Sequence, residues 1–529
     1  MYNKKAMTHY PRIIIAGIKG GSGKTTLSLG LTAALRCRKG MRVTPFKKGP
    51  DYIDAGWMSL AAQSPCYNLD PFLISKEKVL DSFTSHFQGD IAIIEGNRGL
   101  YDGMDPEGSY STAELAKLLK APVVLILDCT KMTRTAAAVV LGCREMDRGV
   151  DIKGVVLNQV SGSRHESVVR ASIEKYCSLP VLGAIPRLKE GEFPERHMGL
   201  TPHHEHPATV QAITFMEQTA GAYLDLERIL KIANEAEPLK DSNEPSVTSN
   251  SKYSNKLQVT SNIKGSDELR VTSNELKTSD KDLSLSSDPL LVNRHSLLVT
   301  KEVTRYSSVR IGVIRDRAFQ FYYPENLEEL EKRGAEIIDV NALSDTCLPD
   351  IDALYIGGGF PETNAIRLAE NASFRASVRS MAEKGLPIYA ECGGLMFLGN
   401  AIITGGQRHP MAGVFPITFE MQKRPKAHGY TIAEVDGDNP FYPVGTVLHG
   451  HEFHYSSVSE LEVAEAHMAF GMKRGYGIRD RRDGLCRKNV LATYTHIHAL
   501  GAGAWTEGLL KSAEEYKKGL REISAGRLL

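Results

Sequence analysis

The sequence predicts an α/β protein built from two parallel-sheet domains with a polar segment between them, and three observations carry that expectation. Apolar, strand-like runs alternate with amphipathic stretches over residues 12–235, the rhythm of a parallel sheet covered by helices. The rhythm stops over residues 236–308. It returns from residue 309 and ends in a strand-rich tail.

In the first domain, residues 1–235, the strands read "RIIIAGI", "RVTPFKK", "IAIIEG", "PVVLILD", "IKGVVLN" and "VLGAIP". The next segment, 236–308, repeats "VTSN" at Val247, Val259 and Val271 amid Ser, Asn, Lys, Glu and Asp. Each unit holds too little apolar surface to fold, so a disordered low-complexity linker is expected. In the last domain, 309–529, the strands read "VRIGVIRD", "AEIIDV", "ALYIGGG" and "LPIYAE", followed by "HEFHYSSV" and "NVLATYTHIHA".

With 529 residues, 42% apolar and 24% charged, the chain can bury two or three cores. Its 64 basic and 63 acidic residues give a net charge of +1, which leaves no electrostatic footprint for nucleic acid or a membrane surface. Small ligands are the expected partners. The start, "MYNKKAMTHYPRIIIAGIKGG", leads straight into a glycine loop rather than a cleavage site, and no apolar run is long enough to span a bilayer. The eight cysteines form no C-x-x-C pair, which speaks against zinc or a disulfide framework and fits a reducing cytoplasm.

"IIIAGI", "KGGSGK" and "TTLSLGLTAALRCR" read as strand, glycine loop and helix. Gly20, Gly21 and Gly23 let backbone N–H groups converge on phosphate oxygens at a helix N-terminus. Lys24 neutralises the phosphates, Thr25 can ligate magnesium, and Thr26 completes the ATP-binding turn. The stricter glycine-loop pattern has Gly where this chain has Ile18, and Lys19 stands ahead of the loop as an extra cation, acting within the chain or across a homodimer. "FKKGPDYIDAGWM" gathers Lys48, Asp51 and Asp54 around a turn, and "IAIIEGNRGLYDGM" carries Glu95 at a strand end and Asp102 beyond it. Strand-end acids facing such a loop are magnesium partners, so Glu95 is the first candidate and Asp51 the second. Asn158, ending "GVVLN", is a candidate for an adenine edge or a turn cap.

These motifs, with "NLDPF", "RDRAFQFYYPENLEEL", "GGGFPE", "ECGGLMFLG" and "GHEFHYS", resemble the cobyrinate a,c-diamide synthase family over nearly the whole chain except the linker. That resemblance implies a first domain similar to dethiobiotin synthetase and to partitioning-type P-loop ATPases. It implies a class I glutamine amidotransferase domain of flavodoxin-like fold in the second half. The implied reaction is ATP- and magnesium-dependent amidation of the a and c carboxylates of cobyrinate with L-glutamine as nitrogen donor. It also implies that Asp51, Tyr52, Asp54 and Asp102 position substrate or metal.

Cys392, in "LPIYAECGGLMFLG", has Ala390 two residues before it and Gly394 two after. Small residues on both sides suit a nucleophile on a sharp strand-to-helix turn. The helix N-terminus is expected to lower the thiol pKa, and the N–H groups of Gly393 and of Gly358 or Gly359 to form an oxyanion hole. Cys37, Cys129 and Cys143 read instead as buried structural thiols. The chain's 16 histidines offer many bases. The resemblance selects His496, in the Tyr-x-His "YTH" that begins at Tyr494. Position 498 is His where the commoner amidotransferase triad has Glu, so a Cys-His dyad is expected.

Two half-reactions then explain one chain: the first domain activates a carboxylate with ATP, and the second releases the ammonia that it consumes. Two alternatives remain. One is the same chemistry on sirohydrochlorin, its nickel chelate or sirohaem; the other is a P-loop switch with a non-catalytic C-terminal module.

Overall fold

The computed structural model describes residues 7–188, 195–196, 199–200, 209–240, 308–461 and 466–526. The "VTSN" repeats lie outside them. Among the described residues no helix is long and apolar enough to cross a membrane.

The first sheet has seven strands, all parallel, in the spatial order Tyr67–Leu69, Val43–Lys48, Ile91–Gly99, Arg12–Gly17, Val123–Asp128, Ile152–Val160, Val181–Pro186. Strand alternation explains its two cores. Ile13 and Ile15 point to one face, with Leu27, Leu31, Trp57 and Met216; Ile14 and Ala16 point to the other, with Phe83, Leu115 and Val140. Helices therefore cover both sides. After Arg12–Gly17 the chain fills one side with Val43–Lys48, Tyr67–Leu69 and Ile91–Gly99, then the other with Val123–Asp128, Ile152–Val160 and Val181–Pro186. Its carboxyl end consequently sits at a switch point, where α/β sheets open a binding crevice. Leu239–Lys240 pairs antiparallel with Met7–Thr8, so the ordered first unit runs a few residues past the expected boundary at 235.

The second sheet has ten strands. Its first five are parallel, in the order Glu336–Val340, Arg310–Ile314, Ala353–Ile356, Ile388–Glu391, Val490–Thr493. This is the 2-1-3-4-5 arrangement of flavodoxin-like folds. The other five, Arg482–Arg487, His467–Arg474, Ala427–Val435, Val447–His454 and His496–Ile497, continue antiparallel. Only Tyr494 and Thr495 separate the fifth strand from the last, a chain distance of at most about 11 Å. The antiparallel half must therefore curl back on itself, which carries His496 to the end of the strand that precedes Cys392.

Candidate active site

The phosphate loop joins Arg12–Gly17 to the helix Lys24–Lys39. Gly21 and Gly23 have φ of 71° and 95°, which glycine adopts without strain. A Cβ on Gly23 would also strike the Asn158 amide. Asn158 Nδ2 donates to Ser22 O at 2.9 Å, so this side chain braces the loop from the strand end. Ser22 Oγ donates to Lys19 O at 2.9 Å and Lys24 Nζ donates to the same carbonyl at 3.3 Å. Burial lowers the Lys24 pKa, with Glu95 opposing the shift. The Lys19 side chain is 68% exposed, with its ammonium 3.8 Å from Asp128.

A compact charge cluster lies beside Thr25. Its hydroxyl donates to Glu95 Oε1 at 2.7 Å and Asp54 Oδ2 at 3.3 Å. Lys47 Nζ donates to Asp54 at 2.6 Å and Glu95 at 2.9 Å, and stands 3.8 Å from Asp51. The sequence points to Lys48, but the cluster is built on its neighbour Lys47, and Lys48 reaches Tyr430 instead. The signal was register: Lys47 and Glu95 face each other at the ends of adjacent parallel strands. Burial opposes the Lys47 charge, but Asp54, Glu95 and Asp51 outweigh it and hold the pKa well above the usual value. Burial raises Glu95, and burial with the neighbouring Asp54 raises Asp51 to about 7. Asp54 stays low because Lys47 overcomes its desolvation.

Asp54 rather than Asp51 reaches Thr25; Asp51 Oδ1 accepts the Asp54 N–H at 2.9 Å. Asp102 accepts the Gly99 N–H at 2.8 Å and shapes its own turn. Among the described residues no group of three or more His, Cys, Asp or Glu could hold a metal alone. Glu95 Oε2 is nonetheless buried without a hydrogen-bond partner among those residues. One hydroxyl and two carboxylates suit magnesium that completes its shell with nucleotide phosphates and water.

Cys392 caps the helix Gly393–Leu398 at the end of Ile388–Glu391, with φ 48° and ψ −98°. This is the strained turn expected of a strand-to-helix elbow. A Cβ on Gly394 would lie 2.6 Å from Ile356 O, and one on Gly393 would lie 3.0 Å from Gly359 N, so the glycines let the two loops touch. The Cys392 N–H donates to Thr493 O at 2.7 Å. The expected pKa depression is overturned: burial pushes the Cys392 thiol up, with Glu362 reinforcing it. A six-residue helix in an apolar surround does not offset that desolvation.

His496 is buried, and a Cβ on Gly358 would clash with its Cε1–Nε2 edge. The strip from Gly358 to Gly359 therefore touches both His496 and the residue after Cys392. On the other edge of the ring, Glu391 Oε2 lies 3.4 Å from Nδ1. The expected dyad thus has a carboxylate beside it, from the residue before the cysteine. His498 faces Glu325 at 3.5 Å instead. His451 stacks on His496 at 4.8 Å, and burial drives its pKa well down. Cys129 is buried and Cys143 partly so, but Cys37, read as buried, is exposed on its helix.

The two sites meet through Tyr52. It follows Asp51, and its ring lies 5.4 Å from the ring of His496, 5.6 Å from His451 and 5.0 Å from Phe321, stacked on the last. Lys48 Nζ donates to Tyr430 OH at 3.3 Å, and that hydroxyl donates to Asp70 at 2.8 Å, tying the two sheets together at the rim.

Residues 13–200 match the CobQ/CobB/MinD/ParA nucleotide binding domain and residues 310–504 the CobB/CobQ-like glutamine amidotransferase domain. Fold and sites thus define a class: a P-loop nucleotide-binding domain fused to a glutamine amidotransferase. A cobyrinate a,c-diamide synthase of Magnetococcus marinus is 40% identical over 95% of this chain and 97% of its own length. Those of Archaeoglobus fulgidus and Listeria innocua are 37% identical over 96% and 98%, and 34% over 92% and 96%. The chain belongs to the cobyrinate a,c-diamide synthase family.

Proposed function

We propose that this chain amidates the a and c side-chain carboxylates of cobyrinate, using ATP and glutamine, in the cytoplasm. The observation that carries the reading is Tyr52, whose ring borders His496 while its neighbour Asp51 borders Lys47. In such a short span, ammonia released at one site meets an activated carboxylate at the other before bulk water protonates it.

At the phosphate loop, a substrate carboxylate oxygen attacks the γ-phosphorus of ATP, the bond to ADP breaks, and an acyl phosphate forms. Backbone N–H groups of residues 20–25, Lys24 and Lys47 stabilise the spread negative charge. Thr25, Glu95 and Asp54 would hold magnesium, which when bound supplies further positive charge to the phosphate oxygens. At the second site Cys392 attacks the glutamine side-chain carbonyl, and His496 takes the thiol proton and returns it to the departing ammonia. The thioester then hydrolyses to glutamate. The N–H groups of Gly393 and Gly359 stabilise the oxyanion. Ammonia displaces phosphate from the acyl phosphate to give the amide.

Incubation with ATP, magnesium, glutamine and a panel of tetrapyrrole carboxylates, read by product mass, tests the reading. Two amides on cobyrinate are expected. Amidation of sirohydrochlorin alone would move the substrate to that ring, and no amide on any ring would overturn the reaction. Glutamate release that survives in the full chain but not in Cys392→Ala excludes a switch with an inert C-terminal module.

A further inference from the structure

Glu391 is fully buried, and a buried carboxylate needs partners. Its Oε1 accepts the Ile497 N–H at 3.2 Å and its Oε2 accepts the Tyr355 hydroxyl at 3.2 Å. The same Oε2 lies 3.4 Å from His496 Nδ1, which has no hydrogen-bond partner among the described residues. The Nε2 edge of that ring abuts Gly358, on the strip that touches Gly393. One ring nitrogen therefore faces an anion, and the other edge lies against Gly358, whose neighbour Gly359 meets the residue after Cys392.

We propose that Glu391 is the positioning residue of the glutamine site, holding the His496 proton on Nδ1 and stabilising the imidazolium formed when Nε2 takes the Cys392 proton. The inference rests on the assignment of Cys392 and His496 made above. An ionised carboxylate only accepts hydrogen bonds, so it selects the Nδ1–H tautomer and leaves Nε2 as the nitrogen able to take a proton. The step balances. The S–H proton moves to Nε2, sulfur bonds to the glutamine carbonyl carbon, and the carbon–nitrogen bond breaks as that proton leaves with ammonia. Glu391 exchanges no proton; its negative charge compensates the transient cation. This supplies what burial withholds from the thiol, since the charge pair is made only when glutamine is present to consume it. The other groups around the ring do not replace the carboxylate: His451 is held neutral by burial, His454 is lowered to about 4, and burial keeps the Tyr52 phenol protonated. The supporting residue directly precedes Cys392, so one turn sets both.

The test is glutamate release by the full chain across the neutral pH range, which requires no tetrapyrrole. Glu391→Gln is expected to lower kcat/KM for glutamine by about 100-fold, mainly in kcat, through loss of the correct tautomer. Its acidic limb moves to lower pH, because an imidazolium without its anion gives up its proton more readily. Glu391→Asp recovers part of the rate. Tyr355→Phe moves the acidic limb the opposite way, since a carboxylate relieved of one donor holds the imidazolium more firmly. A Glu391→Gln enzyme within about twofold of the parent, with an unmoved limb, would overturn the proposal. If thermal melting shows that variant unfolded, Glu391→Asp and Tyr355→Phe decide, and parental limbs in both overturn it. Glutamate release surviving in Cys392→Ala would instead overturn the site assignment beneath it.

Discussion

The turn at residues 17–24 and the turn at Cys392 begin alike, each at the carboxyl end of a parallel strand and each opening a helix. They solve opposite electrostatic problems. The first keeps charges in place: Lys47 is buried yet cationic because three carboxylates surround it. The second keeps charge away: burial raises the Cys392 thiol and suppresses the cation on His451. Phosphate arrives already charged, so its site must be charged beforehand. The glutamine amide arrives neutral, so a site built for it can stay neutral until bond formation begins.

The largest expected break in this contrast comes from Cys392→Ala. Glutamine-dependent amidation should fall by about 10⁴-fold or more, as on removal of any covalent nucleophile, while amidation driven by added ammonium salt survives. Parental glutamine-dependent rates in that variant would mean that the turn is not a nucleophile site. Lys47→Met comes next. Both nitrogen sources should lose about 10²–10³-fold, and a loss confined to glutamine would place Lys47 outside the phosphoryl chemistry.

The raised thiol gives the third comparison, read by alkylation with iodoacetamide and peptide mass. In the absence of glutamine, the exposed Cys37 and Cys347 should label before Cys392. Labelling of Cys392 should rise on the order of tenfold per pH unit through neutrality, because only the thiolate reacts and the folded pKa lies above that range. A pH-independent rate at Cys392 would reveal a preformed thiolate. The smallest effect is Asn158→Ala, which removes the brace on Ser22 O. Losing one such bond costs about 1 kcal/mol, read as a KM for ATP raised several-fold with little change in kcat.

What was legible in the sequence is what lies close together in it. Residues 19–26 fold as one local turn, so strand, glycines, lysine and threonine could be read directly. The setting of Cys392 between small residues was legible for the same reason. Lys47 was not, because its partner Glu95 is 48 residues away and only the strand register brings them together. Glu391 was missed because a carboxylate was sought after the histidine, and nothing local shows that the antiparallel half curls back to set His496 beside it. The direction of the thiol shift failed for a related reason. Desolvation is a property of everything packed around Cys392, whereas the helix N-terminus was the part visible in the string.

Asp483 holds the short connection that completes this curl. Its carboxylate accepts from the Thr493 and Thr495 hydroxyls and from the N–H groups of Tyr494 and Thr495, at 2.7–3.2 Å. Thr493 O in turn receives the Cys392 N–H, and Thr495 leads directly into His496. The thiol and the imidazole thus hang from one bracket of three consecutive residues, although 104 positions separate them in the chain. A displacement of that bracket would therefore move both groups together.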